Sequence, residues 1–348
     1  MKSALSRRHF LGSLGAATTL PLFGQPSLGA GGKLIITSYG GRYEKFWREV
    51  LLPPFQQKSG VEPVVDVALG VNWATNLRAS GPEKPAYSFV MMNELVGAIL
   101  RNEGFFEPWP ASNIPNLANV HPKARNAGDN GVTGMVSPIG IAYRKDLVKK
   151  PPASWRDLWE NSEFKGKLGM FALQNTAGFM FLMMISKVYG NSPLDFDAGF
   201  KMIEQLKPFP QGDLAGALAV LLTRSEIIAC PLDLGETVSL QKKGVNVGFV
   251  APPEGVFMFD QTFSLLKNGP NKDAACAFLD YFLSEDVQIK LAQEFSAVPV
   301  NTKVKLPPEL AKELPLTVAD LDKIVTFDWA SANKLRDQVT ERWNRSMR

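Results

Sequence analysis

Several short stretches put polar or charged side chains where an apolar chain makes them conspicuous. Asp260 interrupts the run "VFMFDQTFSLL", and a carboxylate placed there needs a partner. Asp233 and Glu236 flank a Leu-Gly pair in "PLDLGETV", which puts two acids on one small loop. Asn93 and Glu94 follow the apolar "YSFVMM". Tyr39, Gly40 and Gly41 close the strand-like "KLIITSY", and Asn175 and Thr176 precede the apolar "AGFMFLMMI". Trp73 in "LGVNWAT", and Phe257 beside Phe259 in "GVFMF", supply aromatic faces. Carboxylates attract an ammonium, rings stack on a cation, and glycines let backbone N–H groups approach a ligand. Together these residues suit non-covalent capture of a small molecule, with no bond made or broken and no catalytic residue assigned.

Each position also has a structural reading. Asn93 and Asn175 suit helix N-caps, with Glu94 in a first helical turn. Trp73 suits a core-capping aromatic. Asp233 and Glu236 suit a solvated turn. Asp260 suits a buried hydrogen bond.

Other chemistries are poorly supplied. The two histidines, His9 and His121, cannot build a multi-histidine zinc site, and no cysteine stands near His121. No phosphate loop and no G-x-G-x-x-G turn is present, so no cofactor and no metal is expected. A hydrolase working with two carboxylates alone stays open as an alternative. Net charge is +4; three basic residues, Lys2, Arg7 and Arg8, lie in the acid-free first thirty positions, which leaves +1 for the rest. That balance implies no nucleic-acid partner.

Those thirty residues read as a removable export signal. Paired arginines in "SRRHFLG" precede an apolar stretch and then the small residues of "PSLGAGG", a layout that resembles a twin-arginine signal cleaved near residues 29–30. The mature protein is then expected in the periplasm. Cys230 and Cys276 both sit in apolar contexts and read as two buried thiols.

The elements that must position these groups alternate. "KLIITSY", "VEPVVDVAL" and "YSFVMMN" read as strands separated by helical patterns, and a helix from Arg42 is expected to stop near Pro53-Pro54. This βαβαβ order predicts mainly parallel sheets flanked by helices, with ligands at the carboxyl ends of strands. A second αβ unit is inserted between two extended crossings, "VSPIGIAY" and "PPEGVFMFDQ". The expected division is a first lobe of 31–137 plus 256–348, a second lobe of 138–255, and a hinge and cleft between them.

Five pieces in order carry a family likeness: "SYGGRYEKFWREVLLPPFQQKSG", "PPASWRDLWENSEFKGKLGM", "LLKNGPNKDAACAFLDYFLSED", "VPVN" and "FDWASANKLRDQVTERWNR". With the export signal, the chain resembles the extracellular solute-binding proteins of ABC importers, in the cluster that includes spermidine/putrescine binders. The resemblance implies a two-lobed type II periplasmic-binding fold. It implies a monomer that delivers its ligand to permease subunits in the inner membrane. The implied ligand is a small organic amine such as putrescine or spermidine. One departure stands out. Polyamine binders pair several acids with Trp- and Tyr-rich boxes, whereas "GVFMFDQTF" holds phenylalanines and one acid, and Asn93 stands where related sequences often have an acid. Other solutes on the same fold therefore remain open: an amino acid derivative, a thiamine-like cation, a phosphonate or a metal ion. Iron is disfavoured, since only six tyrosines are present.

Overall fold

The computed structural model describes residues 33–207 and 209–347; the expected export signal lies outside them. Among the described residues ten strands occur: β1 (Lys33–Ser38), β2 (Glu62–Val67), β3 (Phe89–Met92), β4 (Phe106–Glu107), β5 (Val132–Arg144), β6 (Met170–Phe171), β7 (Gln211–Gly212), β8 (Ala229–Asp233), β9 (Val247–Val250) and β10 (Phe257–Leu266). Helices cover their faces, giving a two-lobed α/β molecule of the expected type.

The sheets are mixed rather than mainly parallel. β1 pairs β2 in parallel and β6 pairs β7 in parallel. The largest sheet, built on β5 and β10, is antiparallel throughout. The cause is the two crossings. The chain leaves the first lobe along β5 and returns along β10, so the two lie side by side in opposite senses, from Phe257 opposite Ile139 to Phe263 opposite Val132. Beyond Ile139, β5 continues into the second lobe and pairs with β8 and β9. One buried thirteen-residue strand thus belongs to both lobes. β3 lies beside β1 without a backbone ladder. The Thr37 hydroxyl fills the gap, accepting from Met91 N at 2.7 Å and donating to Met91 O at 3.2 Å.

The helix that follows β1 does not stop at Pro53-Pro54. Arg42–Phe46 passes through a π turn, Trp47–Leu51, into Leu52–Ser59. The prolines occupy the first turn of the last segment; the carbonyls their missing N–H groups leave without a donor belong to the exposed preceding turn, and the wider π turn makes room for their rings. Phe46, Trp47, Leu51, Leu52 and Phe55 are buried by this one helical face, against Phe278, Phe282 and Phe295 among others. Both cysteines are buried and unbridged.

The C-terminal segment touches residues of both expected lobes. Val325 N donates to Val256 O at 2.7 Å, which sets a third extended segment beside the start of β10. The helix Trp329–Ser346 then bridges the lobes. Asn333 donates to Leu95 O in the first lobe at 3.0 Å. Trp343 packs on Phe200 of the second lobe at 6.3 Å between ring centroids, and Arg342 pairs with Asp197. Local periodicity shows this helix but not the lobe it leans on.

Candidate functional site

A cavity of about 430 Å³ lies between the lobes, bordered by the carboxyl ends of β1, β3 and β8. Its size suits a small organic molecule. Ser137 of β5 and Phe259 and Gln261 of β10 face it from the crossing strands. The first lobe contributes Tyr39, Arg42, Tyr43, Asn93 and Phe295; the second contributes Asn175, the Leu214–Gly216 segment, Asp233, Gly235 and Glu236.

The aromatic wall is built by packing. Tyr43 stacks on Phe295 at 4.6 Å between centroids and 8° between planes, and Tyr39 meets Tyr43 edge-on at 6.3 Å. Burial and then the Asp233 charge push the Tyr43 phenol up to about 12, so it stays protonated and able to donate. Tyr39 donates to Asn93 Oδ1 at 3.0 Å, and Asn93 in turn donates to the Asp260 carbonyl at 2.6 Å. Burial and the nearby Asp260 charge raise the Tyr39 phenol still further. Arg42 is engaged: its guanidinium pairs with Glu294 at 3.0 Å and covers the Phe295 ring.

The second-lobe acids sit at a helix start. Asp233 ends β8 and caps the helix Leu234–Lys242, accepting from Glu236 N at 2.9 Å. Half-buried beside the cavity, its carboxyl is pushed up to about 6, chiefly by desolvation and then, against the cap bond, by the Glu236 charge. Neither acid forms an ion pair with a described residue of the chain. The Arg42 charge reaches Asp233, but that guanidinium is paired with Glu294, so the two carboxylates remain able to attract a ligand cation.

Asp260 also borders the cavity, with Phe259 and Gln261, beside an irregularity in the β5–β10 register at Gln261–Thr262. Its Oδ2 accepts from Glu94 N at 2.8 Å and from Thr262 Oγ1 at 2.9 Å. It therefore caps the helix Glu94–Asn102 from a neighbouring strand. It stands between the cleft and a small void of about 90 Å³ behind the crossing strands. Burial and the Glu94 charge push its carboxyl up to about 7. Of its two readings from sequence, these contacts supply the buried hydrogen bond, and it lines the cavity as well.

Gln261, the next residue, has no role in the sequence reading. It is only 5% exposed, it lines the cleft, and its Oε1 has no hydrogen-bond partner. A buried amide without a partner costs about 1–3 kcal/mol. The signal that could have found it is the period-two row Phe257, Phe259, Gln261, in which an amide continues an apolar face.

Other expected residues fall elsewhere. Trp73 is not in a loop: helical spacing with Ala74 and Leu77 turns it into the core, where it is 0% exposed and donates to Asp66 at 3.1 Å. It backs the Tyr39 ring at 5.5 Å rather than meeting a ligand. Phe257 is also 0% exposed and stacks on Trp155, one pleat short of the cleft. Glu94 is held by Arg101 through both oxygens, at 2.7 and 2.9 Å, and borders the rear void. Gly40 and Gly41 make the turn, Gly41 at φ 69°, but Tyr39 and Arg42 on either side line the cleft in their place. Thr176 begins the helix Thr176–Tyr189 and does not reach the cavity, whereas Asn175 does, while capping Ala177 N at 2.8 Å. Tyr39, Asn93, Asn175, Asp233, Glu236, Phe259 and Asp260 are thus brought together. Arg42, Tyr43, Ser137, Gly235, Gln261, Phe295 and the Leu214–Gly216 segment are additions.

A larger depression of about 560 Å³ lies on an outer face between Tyr143, Lys242 and Lys312. It lies at the far end of β5, away from the carboxyl ends of β1, β3 and β8, and is bordered by a solvated pair, Lys242 with Glu313 at 3.4 Å. The interlobe cavity, which encloses an unpartnered amide and unpaired acids, is the better candidate.

Comparison with known proteins agrees with this architecture. The family model described as bacterial extracellular solute-binding protein matches residues 53–316. A gamma-aminobutyric acid-binding protein of Pseudomonas aeruginosa is 24% identical over 339 residues, covering 89% of this chain and 90% of that one. A spermidine/putrescine-binding periplasmic protein of Escherichia coli is 23% identical over 291 residues, covering 80% and 82%. The crystal structure of an extracellular solute-binding protein from Bordetella parapertussis superposes with a TM-score of 0.82 at 26% identity, covering 91% of this chain and 99% of that one.

Proposed function

The chain belongs to the bacterial extracellular solute-binding protein family, and from that premise we propose that its solute is a small organic amine held by its ammonium group in the interlobe cleft. The family and fold are those of the periplasmic binding component of an ABC importer, a transport protein rather than an enzyme. The observation that carries the amine reading is the pair Asp233 and Glu236. Both line the cavity, neither is in an ion pair with a described residue, and the Tyr43–Phe295 stack forms another part of the wall. An ammonium there gains a charge-assisted hydrogen bond and an aromatic face, the latter contributing about 0.5–2 kcal/mol. The relatives' ligands fit the same description: gamma-aminobutyric acid, putrescine and spermidine all carry a primary ammonium on a short aliphatic chain.

Capture follows from the hinge. Contacts from both lobes are made at once only when the lobes are together, so a ligand shifts the population toward the closed form. The closed form then presents a joined surface to the permease. Delivery requires no chemistry at the solute.

The test is a calorimetric titration with putrescine, 4-aminobutyrate, butylamine, butyrate and butanol. Amines should bind, and butyrate and butanol should not. Amine affinity should also depend on pH with a defined sign. Asp233 is protonated below about pH 6, so binding should weaken as pH falls from 7 to 5 and level off above 7. Equal binding of butanol and butylamine, or affinity that rises on acidification, would remove the amine reading.

A further inference from the structure

The segment from Lys303 to Pro315 leaves the first lobe and comes back to it. At one end Asn301 donates to Leu283 O at 2.8 Å, and Thr302 N donates to Asn119 O at 2.8 Å. At the other end Leu316 and Leu321 are buried in the first-lobe core. Between these anchors the chain turns its leucines the other way. Leu306, Leu310 and Leu314, spaced by four, pack with Leu234 and Val238 of the second lobe and Ala292 of the first, as a small apolar cluster separate from the two main cores. Leu234 and Val238 are also four apart, so one face of the helix Leu234–Lys242 meets one stripe of the excursion. The flanking pair, Lys242 with Glu313, is solvated on both sides and contributes little, so the contact is held by its apolar part.

The same helix begins at the cleft. Asp233 caps it and Glu236 lies in its first turn, both at the cavity, while Leu234 between them is packed in the cluster with the excursion's leucines. Among the described residues that line the cavity, none belongs to the excursion. The excursion can therefore act on a solute only through the placement of that helix.

We propose that Leu310 and Leu314 are positioning residues for capture: they clasp the second lobe against the first and raise the closed fraction whatever the solute. The inference goes beyond the amine reading and rests only on capture by lobe closure. Its physical basis is burial. The two halves of the cluster belong to different lobes, so its apolar surface stays out of water only while the lobes are together.

Calorimetry and small-angle scattering on the whole protein test the proposal, with putrescine, 4-aminobutyrate and butylamine as probes. Leu310→Asn and Leu314→Asn should each weaken every probe by one common factor, about threefold to thirtyfold, because the binding-competent fraction falls while no solute contact changes. With no probe present, each should show a larger radius of gyration than wild type. Leu314→Met, close in volume, should restore both readings. Leu316→Ala, which opens a cavity in the first-lobe core, controls for lost stability: it should melt lower and keep wild-type affinity and radius. Leu310 is only half-buried, so its variant keeps the test open if Leu314→Asn fails to fold. Unchanged affinity, or an unchanged probe-free radius, in a folded Leu310→Asn would overturn the proposal. So would factors that differ among the probes, affinity that rises, or a Leu316→Ala that weakens binding as much as Leu314→Asn. If no probe binds wild type, the amine reading falls, and probe-free scattering still decides the clasp: a larger radius in Leu310→Asn upholds it and an unchanged one overturns it.

Discussion

Asp260 and Gln261 are consecutive residues of one strand, both buried to about the same degree, at 4% and 5% exposure, and they have opposite fates. Both border the cleft. Asp260 finds Glu94 N and Thr262 Oγ1. The Oε1 of Gln261, shielded from solvent, finds no partner. Being buried and polar at the cleft does not say what a residue does there; its internal partners narrow it.

The cleft is most easily broken at Gly235. A Cβ there would lie 2.5 Å from the Phe295 carbonyl, and backbone of one lobe cannot yield to it without moving away from the other. Gly235→Ala should therefore cost about 1–3 kcal/mol of stability as overpacking and weaken amine binding at least tenfold. Small-angle scattering at saturating putrescine should show a larger radius of gyration than wild type under the same conditions. Unchanged affinity would mean that the two lobes need not meet at this contact.

The structural role of Asp260 is sharpened by Asp260→Asn. Its carboxyl binds a proton more tightly in the folded state, at about 7, than in the unfolded chain, near 4. Such a group makes the folded state gain on acidification: stability falls as pH rises from about 4 to about 7 and stays low above it. Asp233, pushed up to about 6, adds the same sign. The amide of Asp260→Asn can still accept from Glu94 N, so the variant should melt higher than wild type at pH 8 and show a flatter dependence between pH 5 and 8. Thermal melts across that range check it; a lower melting temperature at pH 8 would show that the charge, not only the cap, is needed.

A smaller effect is expected at Tyr39. Tyr39, Asn93 and the Asp260 carbonyl form a chain of hydrogen bonds from the cleft wall to the strand. Tyr39→Phe removes one link and leaves Asn93 Oδ1 without its donor. The cost should be about 0.5–1.5 kcal/mol by urea denaturation, with an affinity change below about threefold.

Much of this was legible in the sequence for physical reasons. Strand ends in an αβ pattern collect ligand groups, so Tyr39, Asn93, Asn175, Asp233 and Glu236 could be found from apolar runs that end in polar or small residues. The two crossings could be found because extended apolar segments bracket an inserted αβ unit. What escaped depends on register and distance. Asp260 and Gln261 both border the cleft beside an irregular register, which no count of apolar residues shows. Phe295 and Tyr43 meet across 252 positions between residues 43 and 295, with no local signal. Trp73 carried an apparent loop context that its own helix overrode, and the final helix hid its second-lobe contact behind an ordinary amphipathic pattern.

The most direct test of the account is a side-by-side calorimetric titration of wild type, Glu236→Gln and Asp260→Asn with putrescine at pH 7.5. A hydrogen bond to a charged group contributes about 1.5–3 kcal/mol, so Glu236→Gln should bind roughly tenfold to a hundredfold more weakly while melting no lower than wild type. Asp260→Asn should stay within about threefold of wild type. The reverse pattern, with affinity lost in Asp260→Asn and kept in Glu236→Gln, would contradict the assignment of the ammonium to Asp233 and Glu236.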